Sequence, residues 1–497
     1  MNNKLSKSKY TQGIRCPKNL WLSCYKKEEA KESSESILEN GKEVGDLARH
    51  LFGDDYVLIN FDLDSKKMID ETNKYLDKKP NIICEASFNY DNNFCSVDIL
   101  KNDEDGVEIY EVKSSTKIAG IYLDDISYQT WVLKKCGLNV KKSYLVYVNN
   151  QYVKNGPLDI NEYFTIEDVT DRLDLDKVEE MVPILKDVMD KKDEPTNDIS
   201  LDCVKSKNIS FACPFFDYCT RNLPKPNVFD IGWGTRFDKK LNMYNMGKIT
   251  FDEILSFGGI NPKADTQMDF ALYNREPRID KDSIEHLLST FRYPLYFLDF
   301  ESYQAVIPTV DGTKPYQQIC FQYSLHILDK EGGKLTHTEF LNDDYDGNPM
   351  YGLCKQLCED IPKDSCVLVY NDAFEKTRLR EMAEAFPEFS DHLLNIRDNI
   401  IDLLPPFKSQ EYYVKEMGGS ASIKKVLPAL FPNDPSLDYH SLDQVHKGDE
   451  ASAAYLSLSK LPKEEEQELR HNMLKYCELD TYAMVKIYEK LLEVVGK

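Results

Sequence analysis

Apolar residues at positions 37, 38, 44, 47, 48 and 51 recur at roughly helical spacing, so the pattern predicts an amphipathic helix over 36–51. The period then changes. Segments 82–88, 94–100 and 107–113 have the length and apolar content of strands, and the turns between them are rich in Asp and Asn. Residues 124–136 return to a helical pattern that stops at Gly137, and 143–148 read as a further strand. The predicted order is helix, three-stranded meander, helix, strand, followed by a charged and mainly helical stretch over 158–200.

Residues 226–290 mix Gly, Asn and Asp with short helical patterns and read as a small helical connector with no chemistry of its own. From Tyr293 a second α/β unit is expected, with strands at 296–300, 318–328 and 366–370 and helices at 374–385 and 464–494. A chain of 497 residues is too long for one core, so three parts are expected: 1–225, 226–290 and 291–497.

Apolar content of 41% is ample for globular packing. No run of about 18 apolar residues is present to span a bilayer, and the first residues lack the apolar stretch of a signal peptide. A cytoplasmic location with reduced thiols and no membrane partner is the expectation. The 62 basic and 85 acidic residues give a charge of −23, which argues against nucleic-acid binding through overall positive potential but leaves room for a local basic groove and for metals. Of the 13 cysteines, Cys84, Cys95, Cys136, Cys320, Cys354, Cys358 and Cys366 sit among apolar neighbours and read as small core residues. Cys16, Cys203, Cys213 and Cys219 do not. They frame the first unit at both ends, and Cys24, a turn or two past Cys16, has no matching partner.

Two acidic constellations carry the candidate chemistry. In the first, strand alternation directs Glu111 and Lys113 to one face, and a tight meander brings Asp98 beside Glu111. Two carboxylates there would hold Mg²⁺ or Mn²⁺, and the Lys113 ammonium would orient a water or stabilise a pentavalent phosphate. In the second, Tyr296-Phe297-Leu298-Asp299-Phe300-Glu301 is an apolar strand ending in Asp-x-Glu, and Tyr476 and Asp480 lie four apart on one face of a late helix. Asp480 would complete a metal site while the Tyr476 hydroxyl orients the nucleophilic water. In both cases the competing reading is ordinary surface acids or helix caps.

The spacing Asp98-x12-Glu111-x-Lys113, followed by Tyr128-Gln129-Thr130-Trp131, resembles the PD-(D/E)XK nucleases of the RecB-type branch. That resemblance implies a restriction-endonuclease-like fold, a helper role for Gln129 and a further metal ligand at Glu85. The branch places a histidine after a glycine on an early helix, and the stretch 41–45 here has none. With Cys16, Cys203, Cys213 and Cys219 the first unit resembles the iron–sulfur members of that branch, which implies a [4Fe–4S] cluster; zinc is the alternative for four thiolates. The second constellation is similar to the tyrosine-type DEDD 3′–5′ exonucleases of the ribonuclease-H-like fold. Tyr370-Asn371-Asp372-Ala373-Phe374-Glu375 matches the remaining motif with Glu375 where aspartate is usual, and Asp372 and Asp402 are rivals for its place. The segment 418–427 borders a substrate cleft in this reading, where Ser420, Ser422, Lys424 and Lys425 either contact phosphates or serve as a helix cap and solvated lysines. Together these resemblances point to a bacterial family joining the two nuclease types. They imply a metal-dependent deoxyribonuclease in DNA processing, repair or defence, with DNA ends as substrate and a helicase or other repair proteins as partners. A non-catalytic nucleic-acid-binding scaffold, or action of the second domain on RNA, is the alternative.

Overall fold

The computed structural model describes residues 4–497 except 32–34, 79, 206–211, 346 and 443, and the side chains of 35–38 and 440. The chain forms two units of mixed α/β structure: residues 1–223 with 305–316, and residues 224–304 with 317–497. Among the described residues no helix is long and apolar enough to cross a membrane.

The first unit is built on a seven-stranded sheet. Its strands are β1 (Leu5–Ser6), β2 (Val57–Leu58), β3 (Ile82–Tyr90), β4 (Asn93–Asp103), β5 (Gly106–Lys113), β6 (Val140–Val148) and β7 (Phe164–Asp168). The meander β3–β4–β5 is antiparallel, β6 joins β5 in parallel, and β7, unforeseen within the charged stretch, pairs with β6. Helices α1 (Lys7–Arg15), α2 (Pro17–Tyr25), α3 (Gly120–Lys135) and α4 (Leu175–Asp190) pack on one face through Leu20, Leu22, Ile126, Val132 and Leu185, all fully buried. The segment 305–316 joins the opposite face, where Val306 is buried and its carbonyl accepts from the Tyr163 hydroxyl at 3.0 Å.

In the second unit, residues 226–290 do not stand apart as the expected connector. They form short helices, but β8 (Arg278–Ile279) pairs with β14 (Tyr412–Tyr413), and Trp233 N–H donates to the Gly419 carbonyl at 2.8 Å. Gly232 and Gly419 make this closeness possible, since a Cβ built on Gly232 would lie 1.8 Å from the Gly419 carbonyl oxygen. The central sheet has the order β11–β10–β9–β12–β13, with β9 Leu295–Gln304, β10 Gln318–Leu328, β11 Leu335–Leu341, β12 Cys366–Val369 and β13 Ile400–Asp402. Strands β9, β10 and β11 are antiparallel neighbours, whereas β12 and β13 continue in parallel. Helix α5 (Ala373–Ala385) follows β12, α6 (Ile423–Leu430) follows the Gly418-Gly419 turn, and the long α7 (Lys463–Val495) crosses β9 and β10. Of the cysteines assigned to cores, Cys136 is exposed, because the helix it was placed in has already ended and it caps α3 beside Gly137.

The Gly232–Gly419 contact yields a direct expectation. Gly232→Ala should destabilise the protein by about 2 kcal/mol or more, as a backbone carbonyl cannot move aside as a side chain can. A lowered urea midpoint with an unchanged slope is the measurement that checks it.

Candidate functional site

In the first unit the two strands that carry the motif part where the motif begins. The β4–β5 ladder runs only as far as Ile99 opposite Tyr110, and beyond it the Asp98 carboxylate accepts the Val112 N–H at 2.7 Å in place of a backbone partner. β1 pairs with β4 at Asn93 and Phe94, past this opening, and the next residue, Lys7, reaches into it. Its ammonium donates to Glu111 Oε1 at 3.0 Å and lies 3.6 Å from Asp98. Lys113 donates to the same Glu111 oxygen at 2.6 Å and to Asp125 at 2.7 Å, and Gln129 donates to Glu111 Oε2 at 2.7 Å and to Asp125 at 3.0 Å.

The structure thus brings Asp98, Glu111, Lys113 and Gln129 together and adds two residues that the sequence reading missed. Asp125 sits one helical turn before Gln129, a spacing that could have flagged it. Lys7 is separated from Glu111 by most of the domain, and no local pattern announces it. Burial works against the Lys113 charge, but Asp125 and Glu111 outweigh it and hold the ammonium protonated well above its usual range. Glu85 lies on β3 at the position facing Asp98, between the pairs Cys84–Ile99 and Ala86–Val97, with φ of 59°. Burial raises its pKa against the pull of Lys7 and Arg49.

At the ends of this unit Cys16 lies in the α1–α2 junction, Cys203 in a short 3₁₀ turn and Cys219 on the helix Phe216–Thr220. Cys213 N–H donates to the Cys203 carbonyl at 2.9 Å. The thiols are near enough to act on one another: burial first, then the charges of Cys213, Cys203 and Cys16, push Cys219 up to about 11 despite Lys18. Asn19 Nδ2 approaches the Cys213 sulfur at 3.4 Å, and Ser200 N–H the Cys203 sulfur at 3.5 Å. Cys24 instead packs against the hydrophobic core.

The second unit presents the opposite electrostatics. Asp299 and Glu301 share a face of β9, opposite Ser324 and Gln322 of β10, and the β9–β10 register shifts between Cys320 and Gln322, beside Glu301. Asp480 and Tyr476 come from α7, and Glu375 from the first turn of α5. Burial and the charges of Asp480, Glu301 and Glu375 hold Asp299 protonated far above the carboxylate range, with Lys424 opposing. For the same first cause, burial, Glu301 and Glu375 are each pushed up to about 8 and Asp480 up to about 6.

Ligand atoms of Asp299, Glu301 and Cys477 lie within 4.8 Å of one another, and Glu375 Oε2 is buried with no hydrogen-bond partner. The rivals of Glu375 are otherwise engaged: Asp402 accepts from Asn371 N–H at 2.8 Å and Leu404 N–H at 2.9 Å, and Asp372 pairs with Lys376. Tyr439, absent from the sequence reading, donates to Asp480 at 2.6 Å. Lys424 donates to the Tyr476 hydroxyl at 3.1 Å, and both it and Lys425 are exposed. Ser422 sits at the cap position of α6 without bonding the helix backbone.

Ser420 and Ser422 line a cavity of about 560 Å³ whose other walls include Trp233, Lys263, Tyr370 and Lys408, with none of the four acids among its lining residues. Trp233 holds φ of 54°, an unusual conformation for a bulky residue, fixed by bonds to the Gly418 and Gly419 carbonyls. The segment read as chemically silent therefore supplies an aromatic and a cationic wall.

A model for a domain of unknown function, DUF2779, matches residues 296–422, a stretch that contains Asp299, Glu301 and Glu375 but ends before Tyr476 and Asp480. The chain is similar to Uncharacterized protein MG366 of Mycoplasma genitalium, 30% identical over 217 residues covering 40% of this chain and 32% of that protein. It is also similar to the MG366 homolog of Mycoplasma pneumoniae, 29% identical over 38% of this chain and 31% of the relative. Uncharacterized protein UU173 of Ureaplasma parvum is 28% identical over 44% of this chain and 34% of the relative. The chain thus spans about a third of the length of each of these curated relatives. No solved structure matches the chain.

The raised carboxyl pKa values fix a pH dependence. A group that holds its proton more tightly when folded stabilises the fold at low pH and loses that contribution as pH rises, here between the unfolded carboxyl range and about 8. Metal-free protein should therefore lose thermal stability from pH 5 to pH 8. Glu301→Gln should gain on the parent across that window, by roughly 2–4 °C for each kcal/mol relieved, as read by calorimetry in chelator. Added Mn²⁺ should restore the parent more at pH 8 than at pH 6.

Proposed function

We propose that the chain is a metal-dependent nuclease acting on DNA phosphodiesters, with its principal centre in the second unit at Asp299, Glu301, Glu375 and Asp480. The observation that carries this reading is that Asp299 and Glu301 bring ligand oxygens within 4.8 Å of each other on β9, with Asp480 and Glu375 close enough to act on Asp299 electrostatically and a buried Glu375 oxygen left without a partner. Such a site is costly unless cations enter it, and the donor set is the hard oxygen type that takes Mg²⁺ or Mn²⁺. The strand order β11–β10–β9–β12–β13 supports a ribonuclease-H-like reading of this unit, and the parting of β4 from β5 at Asp98 supports a restriction-endonuclease-like reading of the first.

Bound divalent ions would polarise the scissile phosphate and the attacking water. Tyr476 would orient that water, its hydroxyl positioned by Lys424. Tyr439 fixes the Asp480 carboxylate through its 2.6 Å hydrogen bond. The cavity walled by Trp233, Tyr370, Lys263 and Lys408 has the mixture of aromatic faces and ammonium groups that suits a nucleic-acid single strand. These features fit DNA processing, repair or defence; RNA is the alternative substrate that the assay below separates.

One observation favours a second reading for the first unit, as a nucleic-acid-binding module. Glu111 is fully engaged by Lys7, Lys113 and Gln129, so two ammonium groups already supply the positive charge that a metal would bring. Hydrolysis there requires Lys7 to leave the opening. The cysteines suit a metal cluster because N–H donors already approach the Cys203 and Cys213 sulfurs. Four thiolates from the two ends of the unit would hold a [4Fe–4S] group, with zinc as the alternative.

With Mn²⁺ and end-labelled single-stranded DNA, duplex DNA and RNA, Asp299→Asn should lower the rate by about 10²-fold or more. Lys113→Ala should retain most of it. Equal rates in the parent and both variants would refute hydrolysis at either centre. Protein isolated without oxygen should absorb near about 400 nm and lose that band in Cys213→Ser; stoichiometric zinc without iron would replace the cluster reading.

A further inference from the structure

Strand β10 carries a polar stripe where a core strand would be apolar. Gln322, Ser324 and His326 alternate on the face that α7 covers, with exposures of 0%, 0% and 5%. His326 stands directly opposite His337 of β11, and the two rings lie 4.5 Å apart between centroids. Glu478 of α7 completes the group: one ligand atom from each of the three residues falls within 4.8 Å of the others.

Hydroxyl groups bracket this trio. Thr481 Oγ1 donates to the Glu478 carbonyl at 3.1 Å and lies 2.7 Å from Ser324 Oγ and 2.8 Å from His326 Nδ1. Ser324 Oγ lies 2.8 Å from His337 Nε2. In the tautomer in which each imidazole donates to its hydroxyl, the lone pairs sit on His326 Nε2 and His337 Nδ1. The latter is 3.9 Å from the Glu478 carboxylate, too far for a hydrogen bond and suited to an intervening cation.

We propose that His326, His337 and Glu478 form a transition-metal site of the kind that binds Zn²⁺, with Thr481 and Ser324 orienting the two imidazoles. Two imidazoles and a carboxylate are a common zinc donor set, and outer hydrogen bonds of this type set the tautomer of a ligating histidine. The ion would tie α7 to the β10–β11 hairpin. Because Glu478 lies between Tyr476 and Asp480 in the chain, it would hold the helix that presents them to β9.

The test uses the full chain, stripped of metal and kept reduced, titrated with Zn²⁺ against a chromophoric chelator. Glu478→Gln and His337→Gln alter side chains that are 37% and 21% exposed, so both variants should fold, which circular dichroism verifies. Relative to the parent, each should lose one Zn²⁺ equivalent or bind it at least tenfold more weakly, while zinc held by the cysteines is common to all three proteins and cancels. Equal stoichiometry and affinity in the three proteins would overturn the proposal and leave the imidazoles as a tilted packing pair.

Discussion

Repulsion among Asp299, Glu301, Glu375 and Asp480 is the constraint around which the second unit is arranged. Carboxylates crowded out of water oppose folding as they ionise, so the elements that hold them must be stiff. β9 is stiff because Leu295, Phe297, Leu298 and Phe300 are buried around the two acids, and α7 because Met473, Cys477, Met484 and Ile487 are buried along its length. Asp402 contributes indirectly. By capping the backbone of Asn371 and Leu404 it fixes the turn that starts α5 and brings Glu375 to the cluster.

The first unit solves the same problem in the other direction. Its acidic group is also buried, with Glu111 1% exposed, but two ammonium groups and an amide are folded in with it. The difference comes from topology. A two-residue strand at the N-terminus pairs with β4 past the point where β5 has left, and that pairing delivers Lys7 into the gap. Charge compensation makes the first group a stable interior feature, whereas the second gathers carboxyls whose burial raises their pKa.

Much of this was legible in the sequence because periodicity and short spacings are local. The meander 82–113, the strand carrying Asp299 and the i,i+4 pair on α7 follow from the pleat and the helical turn. Glu111, Lys113 and Gln129 likewise fall on elements that the pattern predicts. What escaped depends on contacts distant in sequence. Lys7, Tyr439 and Trp233 carry no motif, and each acquires meaning only when a strand pairing or a glycine contact brings it to a site. β7 escaped for another reason: its Ile166 is exposed and its acids are solvated, so it shows little of the apolar signal of a core strand.

The polar stripe on β10 shows how closely the two sides of α7 are linked. Tyr476, Cys477 and Asp480 face β9, while Glu478 and Thr481 meet the histidines and serine of the β10–β11 hairpin. Consecutive helical residues differ by about 100° around the axis, so one two-turn stretch serves both faces. A rotation of α7 that eased the acidic cluster would pull Thr481 from Ser324 and His326 and strand three buried polar groups, each costing about 1–3 kcal/mol. The hydroxyl–imidazole network therefore holds the helix in the rotation that presents Tyr476 and Asp480 to β9.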